Sequence, residues 1–592
     1  MSAIYGIVGD AGGPELEQMG VRLAHRGSAV AEWSPAPMVR FGYRVRETNG
    51  SGLSVPAVPV AFDGFIDNRV ELAQALGLRP EEACDDATLV LAVYRRLGPD
   101  GLARIRGQFG LAIYDGKSRT LLLGRDRWGA RSVYWARHRD CVVFASEYKA
   151  LLTFRDLPAR PNLGAIQYVQ CTMHGHPYAC YLADAQVVPS GSWVTIRDEE
   201  VSTRRFWDVD IRIAQRSDEE HAAAVRHTFL EALREQTATK RAIGVALSGG
   251  LDSALVVAGM HQVAADKPLH TFTAGFGPED PEMVGAAEVA RHFGTIHHEI
   301  LMPPERLADV LPRMVWHMED TVGHEETAYL YVTTREASKH VDTLFSGRKA
   351  DMLFAGMPRH KLIKLAIMLP PLRPYLREFY DFTQTGRAPQ TLPGRLLVSG
   401  YYRGDAIPPA EVLGAAGFPP GEPLPLSGAQ PLSQKLRRDL FEEPVTMTAT
   451  ERLHSAFALH SNSPFMDPRM IDCAFEVPDR LKVRKLKQKY ILRAACRGML
   501  PAGALARKKS LQRLRHDEML SDVLEQLAAD LLSPAAVASR GFFKQEHVDR
   551  VLRRPTGRSY SSLRIYRIWA LVLAEIWGRL YLDRRGAPLG SR

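Results

Sequence analysis

The sequence predicts two successive folds. A strand-rich α+β sandwich occupies about the first 210 residues, and an α/β domain with a parallel sheet and a helical C-terminal part follows. Three observations support this. Short alternating or apolar segments separated by turn residues dominate the first third of the chain. Past Phe206-Trp207-Asp208, strands begin to alternate with helices, the pattern of a parallel sheet. Between one such strand and its helix lies Ser248-Gly249-Gly250-Leu251-Asp252-Ser253, a turn of small and polar residues.

In the first part, strands are expected over 3–8, 58–62, 110–114, 120–124, 141–145 and 192–196. A helix over 87–97 interrupts them, with Asp86 placed to cap it. In the second part, strands are expected over 243–247, 270–276, 298–302 and 343–346. The stretch 370–434 is rich in Pro and Gly and reads as a loop-laden insertion. Helical periodicity dominates from Val445 onward. The arginine-rich 553–567 stretch reads as an amphipathic helix that turns Trp569 and Trp577 inward, in preference to a nucleic-acid patch. His297-His298-Glu299 is read as structural, because neighbours on a strand face opposite ways and cannot share one zinc ion.

Composition narrows the class. A chain of 592 residues is expected to hold two or more domains. Hydrophobic and charged fractions of 45% and 24% are those of ordinary globular protein. The net charge of +9 suits an anionic ligand, though a solvated basic surface gives the same number. Six cysteines form no Cys-x-x-Cys pair, which argues against a zinc site and a disulfide framework and suits a reducing cytoplasm. No signal peptide is evident, and no apolar run reaches the ~20 residues that span a bilayer. The expectation is therefore a cytoplasmic protein with no membrane or nucleic-acid partner.

The 248–253 turn carries the chemistry. It places backbone N–H groups and two hydroxyls at a helix N-terminus, which suits a phosphate. Asp252 would repel a bare phosphate, so it is expected to face a bridging Mg²⁺. No Gly-Lys-Ser/Thr follows, so the kinase-type phosphate loop is excluded. The turn looks like the pyrophosphatase loop of enzymes that cleave ATP between its α and β phosphates.

With these features the chain resembles the asparagine synthetase-like superfamily, over nearly its whole length. The first part carries His25-Arg26-Gly27, Gly107-Gln108-Phe109-Gly110, Arg125-Asp126-Arg127-Trp128-Gly129 and the 144–151 segment Phe-Ala-Ser-Glu-Tyr-Lys-Ala-Leu. The second carries the loop, Ala350-Asp351, Pro464-Phe465-Met466-Asp467 and Lys489-Tyr490-Ile491-Leu492-Arg493. The resemblance implies a class II glutaminase-like domain over 1–210 and an ATP pyrophosphatase synthetase domain over 215–592.

The departures shape the expected function. Glutamine-dependent members need a cysteine directly after the initiator methionine, whereas this chain has Ser2, a far weaker nucleophile. The family's glutamine-cradling Asn-Gly-Glu-Ile-Tyr-Asn is similar to Asp63-Gly64-Phe65-Ile66-Asp67-Asn68, in which apolar Phe65 replaces the glutamate. Its Ser-Asp-Thr-Glu is similar to Asp85-Asp86-Ala87-Thr88, where only Asp86 is kept. A degenerate glutaminase domain is similar to those of the β-lactam synthetases and lasso-peptide macrolactam synthetases. The resemblance implies an AMP-forming ligase that adenylates a carboxylate for attack by an amine, giving a lactam or amide without glutamine hydrolysis. Its substrate would be a small molecule or peptide carrying both groups, with a partner protein or precursor peptide as a further candidate. Two alternatives stay open: an ammonia-dependent asparagine synthetase and a catalytically silent scaffold.

The resemblance also assigns roles. Asp252 and Asp351 match the acids that hold Mg²⁺–pyrophosphate. Lys489 and Lys509 match the phosphate- and transition-state-facing lysines, with Lys509 expected to stabilise the tetrahedral intermediate. ATP is expected against Leu247, Ser248, Gly249, Gly250, Leu251, Ser253, Thr273, Ser346 and Gly347. Arg348 replaces a family glutamate on the acceptor side and cannot serve as a base at neutral pH. It is expected either to pair with Glu451, the candidate for the amine-side glutamate, or to grip a substrate carboxylate. His460 and Asn462 replace an acid and a base of the family and point to a different substrate.

Overall fold

The computed structural model describes every residue except 1, 11–12, 46–58, 80–84, 173–174, 177, 239–241, 322–325, 386–388, 403–427, 443, 502, 505–512, 555–561 and 590–592. The first part holds strands β1 (Ser2–Val8), β2 (Ala29–Ala36), β3 (Val39–Val45), β4 (Val60–Ile66), β5 (Gly107–Asp115) and β6 (Thr120–Arg125). It continues with β7 (Tyr134–His138), β8 (Cys141–Ala145), β9 (Gln186–Val187), β10 (Ser192–Arg197) and β11 (Glu200–Arg205). These make two antiparallel sheets, ordered β2-β3-β1-β8-β7-β9 and β11-β10-β6-β5-β4. Ile4, Phe41 and Phe144 of the first sheet meet Ala112, Leu123 and Val194 of the second in one buried cluster, as alternation in half-buried strands requires.

The second part holds β12 (Ile243–Ala246), β13 (Leu269–Gly275), β14 (Ile296–Leu301), β15 (Thr343–Phe345) and β16 (His460–Asn462). They form one sheet ordered β14-β13-β12-β15-β16, and every pair in it is parallel. Helices Leu251–Val263, Pro281–Phe293 and Glu326–Ala337 connect successive strands, the crossover that a parallel pair needs. β12 is buried through Ile243 and Val245, and the Leu251–Val263 helix is buried over most of its length. A short antiparallel hairpin, β17 (Val483–Arg484) and β18 (Lys487–Gln488), precedes Lys489.

Two expectations change. The 370–434 stretch is helical where described, with Arg373–Thr385, Leu392–Tyr402 and the start of Pro431–Glu442. Its prolines Pro374, Pro393 and Pro431 stand in first turns, where a missing N–H costs nothing. The cap of the Asp86–Leu97 helix is Asp85, which accepts the Thr88 N–H at 2.8 Å; Asp86 instead pairs with Arg69 at 3.2 Å. β16 enters the sheet beside β15 from more than a hundred residues downstream, so no local alternation announced it. The inward turn of the C-terminal helix is as expected: Ser562–Trp577 buries Trp569 and Trp577, and Trp577 Nε1 donates to the Tyr148 hydroxyl at 2.7 Å, while residues 555–561 of the arginine-rich stretch lie outside the described residues.

The two parts are joined by buried charge. Arg26, 1% exposed, donates to Asp63 at 3.1 Å, Glu147 at 2.9 Å and Glu451 at 3.1 Å. Arg131 reaches Asp63 at 3.3 Å and Glu451 at 2.5 Å. Burial alone would depress Arg26, but the carboxylates of Glu451, Asp63 and Glu147 hold its pKa above the ordinary value. Arg125 and Trp128 add bonds from the first part to Thr448 Oγ1 and the Met466 carbonyl. Removing one member of a buried ion pair strands its partners and costs about 3–5 kcal/mol. Arg26→Met is therefore expected to lower stability by about that much, read as the shift of the unfolding transition. Arg554→Met, at a pair exposed on the surface, is expected to leave that transition essentially unmoved.

Candidate active site

The carboxyl ends of β12 and β15 converge, and the loops leaving them build the site. After β12 the chain turns through Ser248-Gly249-Gly250 into the Leu251–Val263 helix. Gly249 takes φ +66°, a conformation that glycine adopts without strain. The turn is tied internally: Ser253 Oγ accepts the Ser248 N–H at 3.2 Å and lies 3.2 Å from Ser248 Oγ. Thr273 Oγ1 of β13 donates to the Leu247 carbonyl, and Leu247 N–H donates to Phe272 O at 2.8 Å. The helix N-cap is Gly250, whose backbone supplies no side-chain cap. The first N–H groups of a long helix are thus presented at the loop, the arrangement that binds anions.

Beside this loop runs Ser346-Gly347, leaving β15. Ser346 N–H donates to the Asn462 carbonyl of β16 at 3.0 Å. Gly347 lies flat against the loop: a Cβ there would fall 2.5 Å from Asp252 Cβ and 2.7 Å from Ser253 N. That close approach brings Asp351, in the Ala350–Leu353 turn of helix, toward Asp252. The Lys489 ammonium bridges them, paired with Asp252 Oδ2 and, at 2.5 Å, with Asp351 Oδ1. Lys489 has φ +54° and caps the Tyr490–Ala495 helix, its N–H donating to Phe354 O at 3.2 Å. The β17–β18 hairpin delivers it, and Gln488 holds the turn by donating to Ala355 O at 3.2 Å. Arg493, one turn on, feels the Asp252 carboxylate, although burial lowers its pKa. The donor set fits a hard divalent cation: two carboxylates close enough to share one positive group, at a helix N-terminus.

The predicted residues therefore divide. Leu247, Ser248, Gly249, Gly250, Leu251, Asp252, Ser253, Thr273, Ser346, Gly347, Asp351 and Lys489 come together at one sheet edge. Lys509 lies outside the described residues. Arg348 and Glu451 do not pair. Glu451 is 1% exposed, with Oε1 held by Arg26, Arg131 and Ser455, and its Oε2 has no hydrogen-bond partner among the described residues. Two guanidiniums from the first part compete for this carboxylate, so it joins the domains. Arg348 is half-buried, which lowers its pKa against the opposing pull of the Glu326 carboxylate. Its carbonyl accepts from Ser463 Oγ at 3.0 Å.

The residues around Ser2 have their own geometry. Ser2 Oγ donates to Asp63 at 2.9 Å and accepts the Gly64 N–H at 3.2 Å. Phe65, at the position of the family's glutamate, is buried edge-on against the His460 ring at a centroid distance of 5.3 Å. Gln108 Nε2 donates to the Ser461 carbonyl at 2.7 Å. Sequence reasoning saw Phe65 and His460 as separate departures; the structure shows them as one contact.

His454, on the helix of Glu451, is buried with its pKa lowered to about 4, by burial first and by Arg348 and Arg131 in addition. The unfolded chain takes a proton there below about 6.5, while the folded one resists until about 4. Stability contributed by this group is present above that window and falls as pH drops through it, by up to ~1.4 kcal/mol per pH unit. His454→Gln is expected to flatten the acid side of the stability curve, checked by urea midpoints at neutral pH and at about pH 5.

Comparison with known proteins agrees with this layout. A family model described as asparagine synthase matches residues 224–579, and one described as a glutamine amidotransferase domain matches residues 1–207. The glutamine-hydrolyzing asparagine synthetase 1 of Bacillus subtilis (strain 168) is 23% identical over 625 aligned positions, covering 97% of this chain and 94% of its own. Asparagine synthetase B of Escherichia coli (strain K12) is 26% identical over 322, covering 50% and 52%. A solved glutamine phosphoribosylpyrophosphate amidotransferase from B. subtilis is similar over 50% of this chain and 80% of its own, at 14% identity and a TM-score of 0.25, too low to bear on the fold. With the synthase model spanning more than half its length, the chain belongs to the asparagine synthase family.

Proposed function

We propose that the chain is an ATP-dependent, AMP-forming synthetase that activates a substrate carboxylate for attack by an amine, yielding a lactam or amide without hydrolysing glutamine. The observation that carries this reading is the Asp252–Lys489–Asp351 cluster beside the N-terminus of the Leu251–Val263 helix. Asp252 and Asp351 would hold Mg²⁺, which when bound offsets the charge of the departing pyrophosphate. Lys489 and the helix N–H groups bind phosphate oxygens, and Ser248 and Ser253 keep the loop in shape. Lys509 stabilises the tetrahedral intermediate. Arg348, facing no partner in Glu451, grips a carboxylate of the substrate.

The absence of glutamine chemistry rests on Ser2, bonded to Asp63, and on Phe65, packed on His460. No thiol stands at the head of β1, and an aromatic ring replaces the carboxylate that the family uses on glutamine. A second reading, ammonia-dependent asparagine synthesis, draws on the names of the relatives. Against it, His460 and Asn462 stand where the family has an acid and a base; Asn462 Oδ1 accepts the Ser463 N–H at 2.9 Å and the His460 ring packs on Phe65.

Carboxylate-dependent exchange of labelled pyrophosphate into ATP, with product mass read in the same tubes, tests the reading. Aspartate, β-amino acids and candidate precursor peptides are the substrates to try. Asp252→Ala is expected to lower exchange roughly tens-fold or more, and undiminished exchange would sink the metal assignment. Exchange with aspartate alone would select asparagine synthesis; no exchange and no product with any carboxylate would select a silent scaffold. Gly347→Ala is expected to cut turnover while the chain stays folded, because its Cβ would push on the Asp252 backbone at 2.7 Å. Ser2→Cys is expected to leave glutamine hydrolysis at background, since Phe65 remains; glutamate release by that variant would refute the degenerate-pocket reading.

A further inference from the structure

A second constellation lies at the opposite edge of the parallel sheet. In the β13–β14 register, Phe272 stands beside His298, and His270 is two residues before Phe272 on the same face. His270 Nδ1 and His298 Nε2 are 3.0 Å apart. His340, in the turn that follows the Glu326–Ala337 helix and leads into β15, brings its ring to 4.2 Å from that of His298. One ring nitrogen from each of the three lies within 4.8 Å of the others. His340 Nε2 is 3.4 Å from Glu336 Oε1, whose other oxygen pairs with Lys339 at 2.6 Å. The strand-neighbour argument holds for His297, which turns to the other face and bonds Thr271 Oγ1 at 2.9 Å. It missed His298, because the partners of His298 come from other elements.

We propose that His270, His298 and His340 form a site for a borderline divalent transition metal of the Zn²⁺ type, with Glu336 orienting His340. Imidazole nitrogen is the donor such ions favour, and three of them leave a fourth position for water. A carboxylate on the far nitrogen of a ligating histidine is the usual supporting contact. Half-buried His270 and His298 with exposed His340 give an ion access from solvent. The cluster sits toward the amino ends of the strands, whereas Asp252 and Asp351 follow their carboxyl ends. The metal would clamp edge strand β14 and β13 to the turn before β15, apart from the synthetase chemistry.

The test uses the full chain stripped of metal by a chelator and titrated with Co²⁺, whose visible bands report ligand type and geometry. Saturation at one equivalent with tetrahedral bands, displaced by Zn²⁺ and accompanied by a higher unfolding temperature, is the expected result. His270→Gln and His298→Gln are expected to abolish the bands with unchanged circular dichroism. Glu336→Gln, on the last turn of a helix, is expected to keep their shape but weaken affinity about 10- to 100-fold. Asp351→Asn is expected to leave them intact, which separates this site from the one proposed for Mg²⁺. Bands that persist in the histidine variants, or no saturable binding at all, would overturn the proposal and leave a stacked imidazole–phenyl cluster only.

Discussion

The arrangement depends on Arg26 and Arg131 meeting Glu451. Two guanidiniums from the first part converge on one carboxylate of the second, with Asp63 and Glu147 completing the charge balance. All lie within 1% of full burial, so none can turn to water if a partner leaves. A second set repeats the device: Glu319 accepts the Tyr148 and Lys149 N–H groups at 2.9 and 2.7 Å and pairs with Arg452 at 3.1 Å. Such pairs add little over a well-packed apolar contact, but they penalise any other docking heavily. They fix one orientation of the sandwich against the helix that carries Glu451 and Arg452, and so fix the wall beside β16.

That wall bears on the synthetase edge. β16 pairs with β15 on one side, and Ser346 N–H hydrogen-bonds Asn462 O to hold the β15 exit in place. From there Gly347 packs on Asp252, and Asp351 reaches Lys489. A chain of direct contacts thus runs from the Ser2 and Phe65 region, through β16, to the 248–253 turn. It passes through hydrogen bonds, tight van der Waals approaches and an ion pair, in packing that tolerates little displacement.

Much of this was legible in the sequence, for identifiable reasons. The 248–253 turn, Asp351 and Lys489 sit in local patterns that encode strand, turn and helix start, and the structure brings them together. The central strands were readable because buried runs such as Ile243–Ala246 are locally apolar. Edge and late strands were not: β11 is exposed along its length and β16 has three residues, so neither shows alternation. The role of Glu451 was illegible because its partners lie over three hundred residues away, in a part of the chain whose own motif suggested glutamine chemistry. The helices of 370–434 were hidden by prolines that begin helices as readily as they break them.

Phe65 against His460, with Gln108 on the Ser461 carbonyl, has a consequence for inheritance. A domain that lies outside the Asp252–Lys489–Asp351 cluster would ordinarily be free to shrink or vanish. Here it covers the outer rim of another domain's sheet and answers that domain's buried charge. Its deletion would bare a hydrogen-bonding strand edge and strand Glu451 in the interior. Ser2 and Phe65 thus sit in a sandwich whose neighbouring residues are held by contacts with the second part, whatever stands at position 2. Positions of this sandwich that face β16 and the Glu451 helix answer to two demands at once, the packing of their own domain and the buried charge of the other.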